Sequence, residues 1–335
     1  MKTPVSILSM GVSSPGGATT AALDDMAEWP SERVAEVTTA GAAHRVARID
    51  LGAGPFNRWR MRPRLRRASP LSHHLMEAVA QALAARPDVD PKRVGLVGAF
   101  FIGCIAYSVR FYKGLTSEGR RFASPVLFPE TVVNTPLSHV VCELGIGGPV
   151  YSQVGDTSCW ISALRTASLW LANRDVEHVV VVSGEEFDPH FLDVMHAARW
   201  FGRLPETGIA EGAGALLLGQ DAVGAIARIT RIADGYSYRT RVQAVKAGRD
   251  CLSEFDASLP VMATATSWMR NISLSVLAGR TVPPKPAEPD FDGLGVAAAW
   301  NTIRAVGAVQ ESPGLRLVVP SWGLSQQIGA VEITS

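Results

Sequence analysis

At 335 residues, 47% hydrophobic and 19% charged, the chain has the apolar content for one large core or two fused smaller ones, which excludes an intrinsically disordered protein. A formal net charge of +1 excludes a global electrostatic pull toward nucleic acid or an anionic membrane, so a charged partner must be met by a local patch. The four cysteines, Cys104, Cys142, Cys159 and Cys251, have no CxxC spacing and lie in apolar surroundings, which argues against a metal site or a disulfide framework and for reduced thiols in a cytoplasm.

In chain order, Met1 to Pro4 leads into a short apolar run without the long apolar stretch and small-residue cleavage site of a secretory signal, so export is not expected. Val5 to Met10 reads as a strand, and Pro70 to Ala85 as an amphipathic helix whose buried side carries Leu71, Met76, Val79 and Leu83. Val94 to Ala99 is a second core strand. The uncharged stretch that it opens ends at Val109, short of the roughly 18 to 20 residues a membrane-spanning helix needs. Thr131 to Leu144 is expected to be helical and to be stopped by Gly145-Ile146-Gly147-Gly148-Pro149. Val150 to Val154 then makes a strand, Trp160 to Asn173 a helix, and His178 to Val182 a strand of consecutive valines. The helix is apolar nearly all round, with only Arg165 interrupting, which predicts burial between two sheets. Beyond Gly219, Ala225 to Ile232 and Leu259 to Ala263 read as strands and Thr281 to Pro289, with its prolines, as a loop. Leu294 to Val309 reads as a helix, and Leu315 to Val319 with Ala330 to Ile333 as a closing strand pair. Strands alternating with helices predict an α/β layered fold.

Cys159 stands between an apolar strand and an apolar helix. The first turn of a helix offers oriented amides and the positive end of the dipole, which lower a thiol pKa and can also hold a developing oxyanion. The same position equally suits an inert cysteine packed at a strand–helix junction.

The segment from Gly148 to Gly184, with Asp156-Thr157-Ser158-Cys159 inside it, resembles the active-site region of β-ketoacyl synthases, the condensing enzymes of the thiolase superfamily. Val5 to Pro15 resembles their opening strand and turn, and Arg93 to Gly98 their second core strand. Asn134 to Pro149 is similar to the helix before the active-site strand, and Glu211 to Ala215 to the glycine motif that closes the first half. The resemblance implies a thiolase-like fold, two related halves in five alternating α/β layers with the second half shortened, dimerised through the strand before the nucleophile. It places a first half at residues 1–220 and a second at 221–335, with Cys159 in the nucleophile position.

Family members use two later histidines to stabilise the enolate formed on decarboxylation. The seven histidines here are His44, His73, His74, His139, His178, His190 and His196, so no position after 196 supplies either. Val261 to Thr266 resembles the first histidine's motif and puts Thr264 in its place, while Gly295 to Ala299 resembles the helix after the second and leaves Asp292 near that position. Ser321 to Ser325 resembles the phenylalanine and glycine turn, so that Thr207, Trp322 and Leu324 are expected to line the pocket. Arg58, Arg60, Arg62, Arg64, Arg66 and Arg67 read either as a solvated surface or as docking sites for an acidic partner, which by the resemblance is an acyl carrier protein. His73 and His74 read as cap or surface residues, His139 as structural, and Glu185, Glu186 and Asp188 as a loop. No G-x-S-x-G elbow is present, against a serine hydrolase.

These readings converge on a ketosynthase-like subunit without condensing activity, similar in role to the chain-length factors that pair with active ketosynthases in type II polyketide or fatty-acid-like pathways. The alternative is an acyltransferase or thioesterase that uses Cys159 on acyl thioesters without decarboxylation. Either reading needs no cofactor and no metal, and involves an acyl carrier protein. The protein would be a homodimer or a heterodimer with a ketosynthase, with no nucleic-acid or membrane partner.

Overall fold

A computed structural model describes residues 4–24, 26, 29–39, 42–197, 208–220, 223–264, 269–282, 291–324 and 326–335. The first half comprises β1 (Val5–Ser13), the paired β2 (Val34–Thr39) and β3 (Ala42–Ala47), α1 (Asn57–Arg60), α2 (Pro70–Ala84), β4 (Val94–Phe100), α3 (Ile105–Glu118) and α4 (Thr135–Leu144). It continues with β5 (Val150–Val154), α5 (Cys159–Ala172), β6 (His178–Glu185), α6 (Pro189–Ala197), β7 (Gly208–Ala210) and β8 (Gly212–Gly219). The rest of the chain supplies β9 (Ala227–Ser237), α7 (Arg241–Leu252), α8 (Arg270–Leu277), β10 (Phe291–Asp292), α9 (Ala297–Glu311), β11 (Arg316–Trp322) and β12 (Gln327–Thr334).

Among the described residues, eight strands form one hydrogen-bonded sheet in the order β11-β12-β9-β1-β8-β6-β4-β5, and β10-β7-β3-β2 form a small second sheet. Strands β4, β5 and β6 are parallel, and the remaining neighbours in the large sheet are antiparallel. The large sheet is hinged where β1 meets β9, at Val5 to Ile7, so its two wings face each other. Helices α5 and α9 fill the space between the wings, α2 and α4 cover the outside of the first wing, and α7 and α8 cover the outside of the second. The result is five alternating helix and sheet layers. A pairing pattern recurs across it. Strand β8 lies between β1 and β6 with β4 parallel to β6, and β12 lies between β9 and β11 with Val261 bridged in parallel to Val318 of β11.

Local chemistry explains the elements. The four valines of β6, Val179 to Val182, are fully buried because helices cover both faces of the strand, which removes the usual alternation. Helix α2 begins at Pro70, and the Ser69 hydroxyl caps it by accepting from Ser72 N at 3.3 Å. It packs so close to β1 that a Cβ on Gly11 would fall 2.0 Å from the Ala78 carbonyl oxygen, so only glycine fits there. Helix α5 buries Trp160, Ile161, Ala163, Leu164, Ala167 and Leu171 between the wings, and Trp160 Nε1 donates to Thr302 Oγ1 of α9 at 3.0 Å.

Several sequence expectations change. Helix α5 is not enclosed on every side, since Leu169 is 55% exposed and Arg165 is exposed too. The helix expected from residue 131 starts at Thr135, because Phe128–Thr131 tightens into a 3₁₀ turn around Pro129. The strand expected at 259–263 is reduced to the single bridge at Val261. Leu294–Val296 is a 3₁₀ turn, with Leu294 at φ 53°, before α9 begins at Ala297. His73 and His74 are buried inside α2, neither capping it nor on the surface. Most of the 281–289 loop lies outside the described residues.

Candidate functional site

Cys159 is the first residue of α5, reached from β5 through Gly155 and the turn Asp156-Thr157-Ser158. Its amide donates to Asp156 O at 2.8 Å, so that group of the first turn is already engaged. The residue is 6% exposed, and its thiol donates to Phe100 O at the end of β4 over 3.5 Å. Burial pushes the thiol pKa well up, and the Glu185 and Asp156 carboxylates push it further. Loss of hydration thus works against the helix start, which by itself favours the thiolate.

Asp156 makes the densest set of bonds at the site. Its Oδ1 accepts from Thr157 N at 2.7 Å and Leu324 N at 2.7 Å, and its Oδ2 from Gln326 N at 2.8 Å and Gln327 N at 3.0 Å. The Thr157 hydroxyl donates to Trp322 O at 3.2 Å. The turn between β11 and β12 is thus tied to the residues just before Cys159.

Thr264 and Asp292, the residues expected in the two histidine positions, each have their own local bonds. The Thr264 hydroxyl donates to Pro320 O at 2.6 Å, which commits its proton. Asp292 belongs to β10 and is buried. Its Oδ1 accepts from Leu294 N at 2.8 Å, its Oδ2 has no hydrogen-bond partner among the described residues, and burial raises its pKa to about 6. The carboxylates that act most strongly on Cys159 are Glu185 and Asp156. Trp322 is buried, and Leu324 packs against two separate core clusters. Thr207 lies outside the described residues.

Glu186 and Asp188 lie in the loop expected from the sequence, while Glu185 is the last residue of β6, and all three are hydrogen-bonded. Glu185 ends β6 and accepts from Phe101 N at 2.6 Å and Ile102 N at 3.1 Å. Glu186 accepts from Leu71 N and Ala106 N, at the starts of α2 and α3. Glu211 accepts from Ile49 N and Phe187 N. Asp188 accepts from the His190 ring at 2.7 Å, and the other ring nitrogen of His190 lies 2.6 Å from Lys113 Nζ. Burial raises Glu185 to about 8 and Glu186 to about 7, and lowers His73 to about 4 and His74 to about 3.

The signs of these shifts predict a pH profile. The raised carboxyls stabilise the fold fully below their ordinary value of 4.5, and that contribution is lost as pH rises through about 7 and 8. The lowered histidines stabilise it above their ordinary 6.5, and theirs is lost as pH falls through about 4 and 3. Of these four groups only the carboxyls lose stability between about pH 6.5 and 8, so Tm is expected to fall with rising pH there and to fall again on the acid side of about pH 4.5. Thermal melts of Glu185→Gln should show a flatter alkaline limb. An unchanged limb would remove Glu185 from the account.

All six arginines of the basic stretch are exposed, while Trp59 and Leu65 anchor the stretch in the core. Arg58 pairs with the buried Glu77 at 2.8 Å and stacks on Trp59, and Arg62 pairs with Glu143 at 3.3 Å. Arg66 and Arg67 line a cleft of about 860 Å³ together with Arg110, Lys113, Phe111 and Phe122. That cleft was not foreseen from the sequence, since its walls come from α3 and from residues 122–127 as well as from the basic stretch. No helix among the described residues is long and apolar enough to cross a membrane, and no group of three or more His, Cys, Asp or Glu among them could hold a metal ion.

The five layers, with Cys159 starting the central helix, are the thiolase-like fold of the ketosynthases. No protein-family model and no curated protein matches the sequence. Among solved structures, the chain is similar to the ishigamide ketosynthase/chain length factor, with a TM-score of 0.80 and 17% identity over 99% of both chains. A type II polyketide ketosynthase bound to the hexaketide, in complex with its acyl-carrier protein, gives 0.74 and 17% over 100% of this chain and 99% of that one. A β-ketoacyl synthase from Burkholderia phymatum gives 0.76 and 15% over 99% of both. At such identities the likeness is one of fold, and chemistry must be argued from the site.

Proposed function

We propose that this chain is a non-condensing, chain-length-factor-like partner subunit of a ketosynthase in a type II polyketide or fatty-acid-like pathway. The observation that carries the reading is the state of the nucleophile position. Cys159 is buried with its thiol bonded to Phe100 O, no histidine follows residue 196, and the hydroxyl of Thr264 is spent on Pro320. Condensation needs a thiolate to accept the acyl chain and donors to stabilise the enolate; burial of Cys159 works against the first, and the second are not supplied by histidines in the family positions.

The edge of the large sheet supports the partner role. Among the described residues β5 pairs only with β4, and Val150, Tyr151 and Val154 are 41%, 51% and 51% exposed. An open apolar strand edge is a template for pairing and calls for cover. Two of the similar structures are named for a ketosynthase/chain length factor and for a ketosynthase with its acyl-carrier protein, which supports a ketosynthase at β5 and an acidic carrier at the cleft rimmed by Arg66 and Arg67. In this reading the chain divides into halves at 1–220 and 221–335, in keeping with the recurring strand pairing. It works in a reducing cytoplasm, in keeping with four free cysteines.

The test is co-expression with a type II ketosynthase. A stable one-to-one complex is expected with wild type, and its loss with Tyr151→Arg, while Arg66→Glu with Arg67→Glu should leave the complex intact and weaken carrier binding. If wild type purifies only with itself, the partner role fails.

A further inference from the structure

We propose that Lys113 is an acyl-acceptor site, whose amine takes an acyl group from a phosphate-bearing thioester seated in the arginine-rimmed cleft, with His190 as base and Asp188 orienting it. Lys113 lines that cleft beside Arg66, Arg67 and Arg110. Its Nζ lies 2.6 Å from His190 Nε2, and His190 Nδ1 lies 2.7 Å from Asp188 Oδ1. An imidazole that donates Nδ1–H to a carboxylate presents Nε2 as an acceptor, here toward the ammonium. The same Asp188 oxygen also accepts from His190 N at 2.9 Å, which holds the carboxylate at the start of α6. Helix α3 thus supplies the amine, while the start of α6 supplies its base and an orienting carboxylate.

Lysine is the exception here, since only five of the chain's 32 lysines and arginines are lysines. The other three cations of the cleft are arginines, which hold anions but cannot shed a proton to become nucleophiles, whereas a lysine amine can. The cleft's walls suit both ends of the donor. Phe111, Phe122, Val126 and Leu127 offer an apolar surface to an acyl chain, and four cations against the single carboxylate of Glu118 favour phosphates. In the reaction the Lys113 ammonium passes a proton to His190, the freed amine adds to the thioester carbonyl carbon, and the tetrahedral adduct collapses with cleavage of the carbon–sulfur bond. The second amine proton goes to the departing thiolate, and His190 releases its proton to solvent. The products are an amide on Lys113 and a free thiol, and the cleft has lost one positive charge. Only the choice of a thioester as donor rests on the function proposed above.

The experiment incubates the full chain with octanoyl-coenzyme A and follows acylation by peptide mass spectrometry, with the exposed Lys92 and Lys246 as controls within each molecule. Lys113 is expected to be acylated roughly ten-fold faster or more than either, and its rate to fall about 10²-fold or more in His190→Gln, the range for losing a general base. Cys159→Ala should leave the rate unchanged, and the adduct should survive hydroxylamine, which cleaves a thioester and spares an amide. Octanoyl-N-acetylcysteamine, which carries no phosphate, should react roughly ten-fold more slowly for want of charge-assisted hydrogen bonds, and Arg66→Glu with Arg67→Glu should erase that difference. Acylation of Lys113 at the rate of Lys92 and Lys246, an unchanged rate in His190→Gln, or a rate that falls with Cys159→Ala would overturn the site. Equal rates with the two thioesters would overturn the choice of a phosphate-bearing donor. No ketosynthase is present, so failure here is read separately from failure of the pairing.

Discussion

Offered acyl and malonyl thioesters on a carrier protein, this chain alone is expected to form no carbon–carbon bond and to release carbon dioxide no faster than its own Cys159→Ala variant. Losing one preorganised donor at an oxyanion costs about 10²- to 10³-fold, so the proposed reading, in which neither family histidine is present, predicts a deficit of at least about 10⁴-fold against an intact ketosynthase. The geometry deepens that deficit. Burial raises the thiol pKa, the thiol is bonded to Phe100 O and the Cys159 amide to Asp156 O, and all three work against the first, acyl-accepting step. Thr264→His on its own should therefore not restore turnover. Carbon dioxide release by wild type that depends on Cys159 would sink this reading. Acylation of Cys159 in wild type, seen by intact-protein mass spectrometry, would favour the acyltransfer alternative.

Trp160→Ala is expected to cost about 3–5 kcal/mol of stability, the range for emptying a large aromatic from a closed core. Trp160 is fully buried in the layer between the two sheet wings, and its indole N–H is bonded to Thr302. Removing it leaves a void that two facing sheets cannot close without shearing both, and it deprives the Thr302 hydroxyl of its donor. Trp160→Phe keeps most of the volume and loses the hydrogen bond, so its cost should be nearer about 1 kcal/mol. Urea unfolding of the two variants checks the pair. A cost for Trp160→Ala below about 1 kcal/mol would mean that α5 does not fill the middle layer.

The middle layer was legible in the sequence because it depends on local composition. A helix of tryptophans, leucines and alanines next to a run of four valines has nowhere to be except between covered surfaces, and Trp160 and Val179 to Val182 are where that logic puts them. The site was less legible because its bonds are long-range. Glu185 and Glu186 looked like loop carboxylates, since the amides that hold them, at Phe101, Ile102, Leu71 and Ala106, come from segments about 80 to 115 residues earlier. A faint signal was available in charged residues directly continuing a fully apolar strand, which must be either solvated or bonded. His73 and His74 misled for the opposite reason. The Ser69-Pro70 pair already marks the helix start, and both histidines follow it in a helix packed on β1 and β8 beneath it and on α4 beside it, and both are buried. Asp156 stood inside the recognised motif, yet nothing local reveals that its carboxylate reaches the β11–β12 turn.

The two ends of the large sheet have unequal fates. At the β11 end, Val318 N donates to Pro260 O and Met262 N to Val318 O, so the chain caps its own border with a short piece of itself. At the β5 end no such cap exists among the described residues. When β5 joins a like edge, the pairing closes at two members, and the segment bridged to Val318 obstructs part of the opposite border of the same sheet against further strand addition.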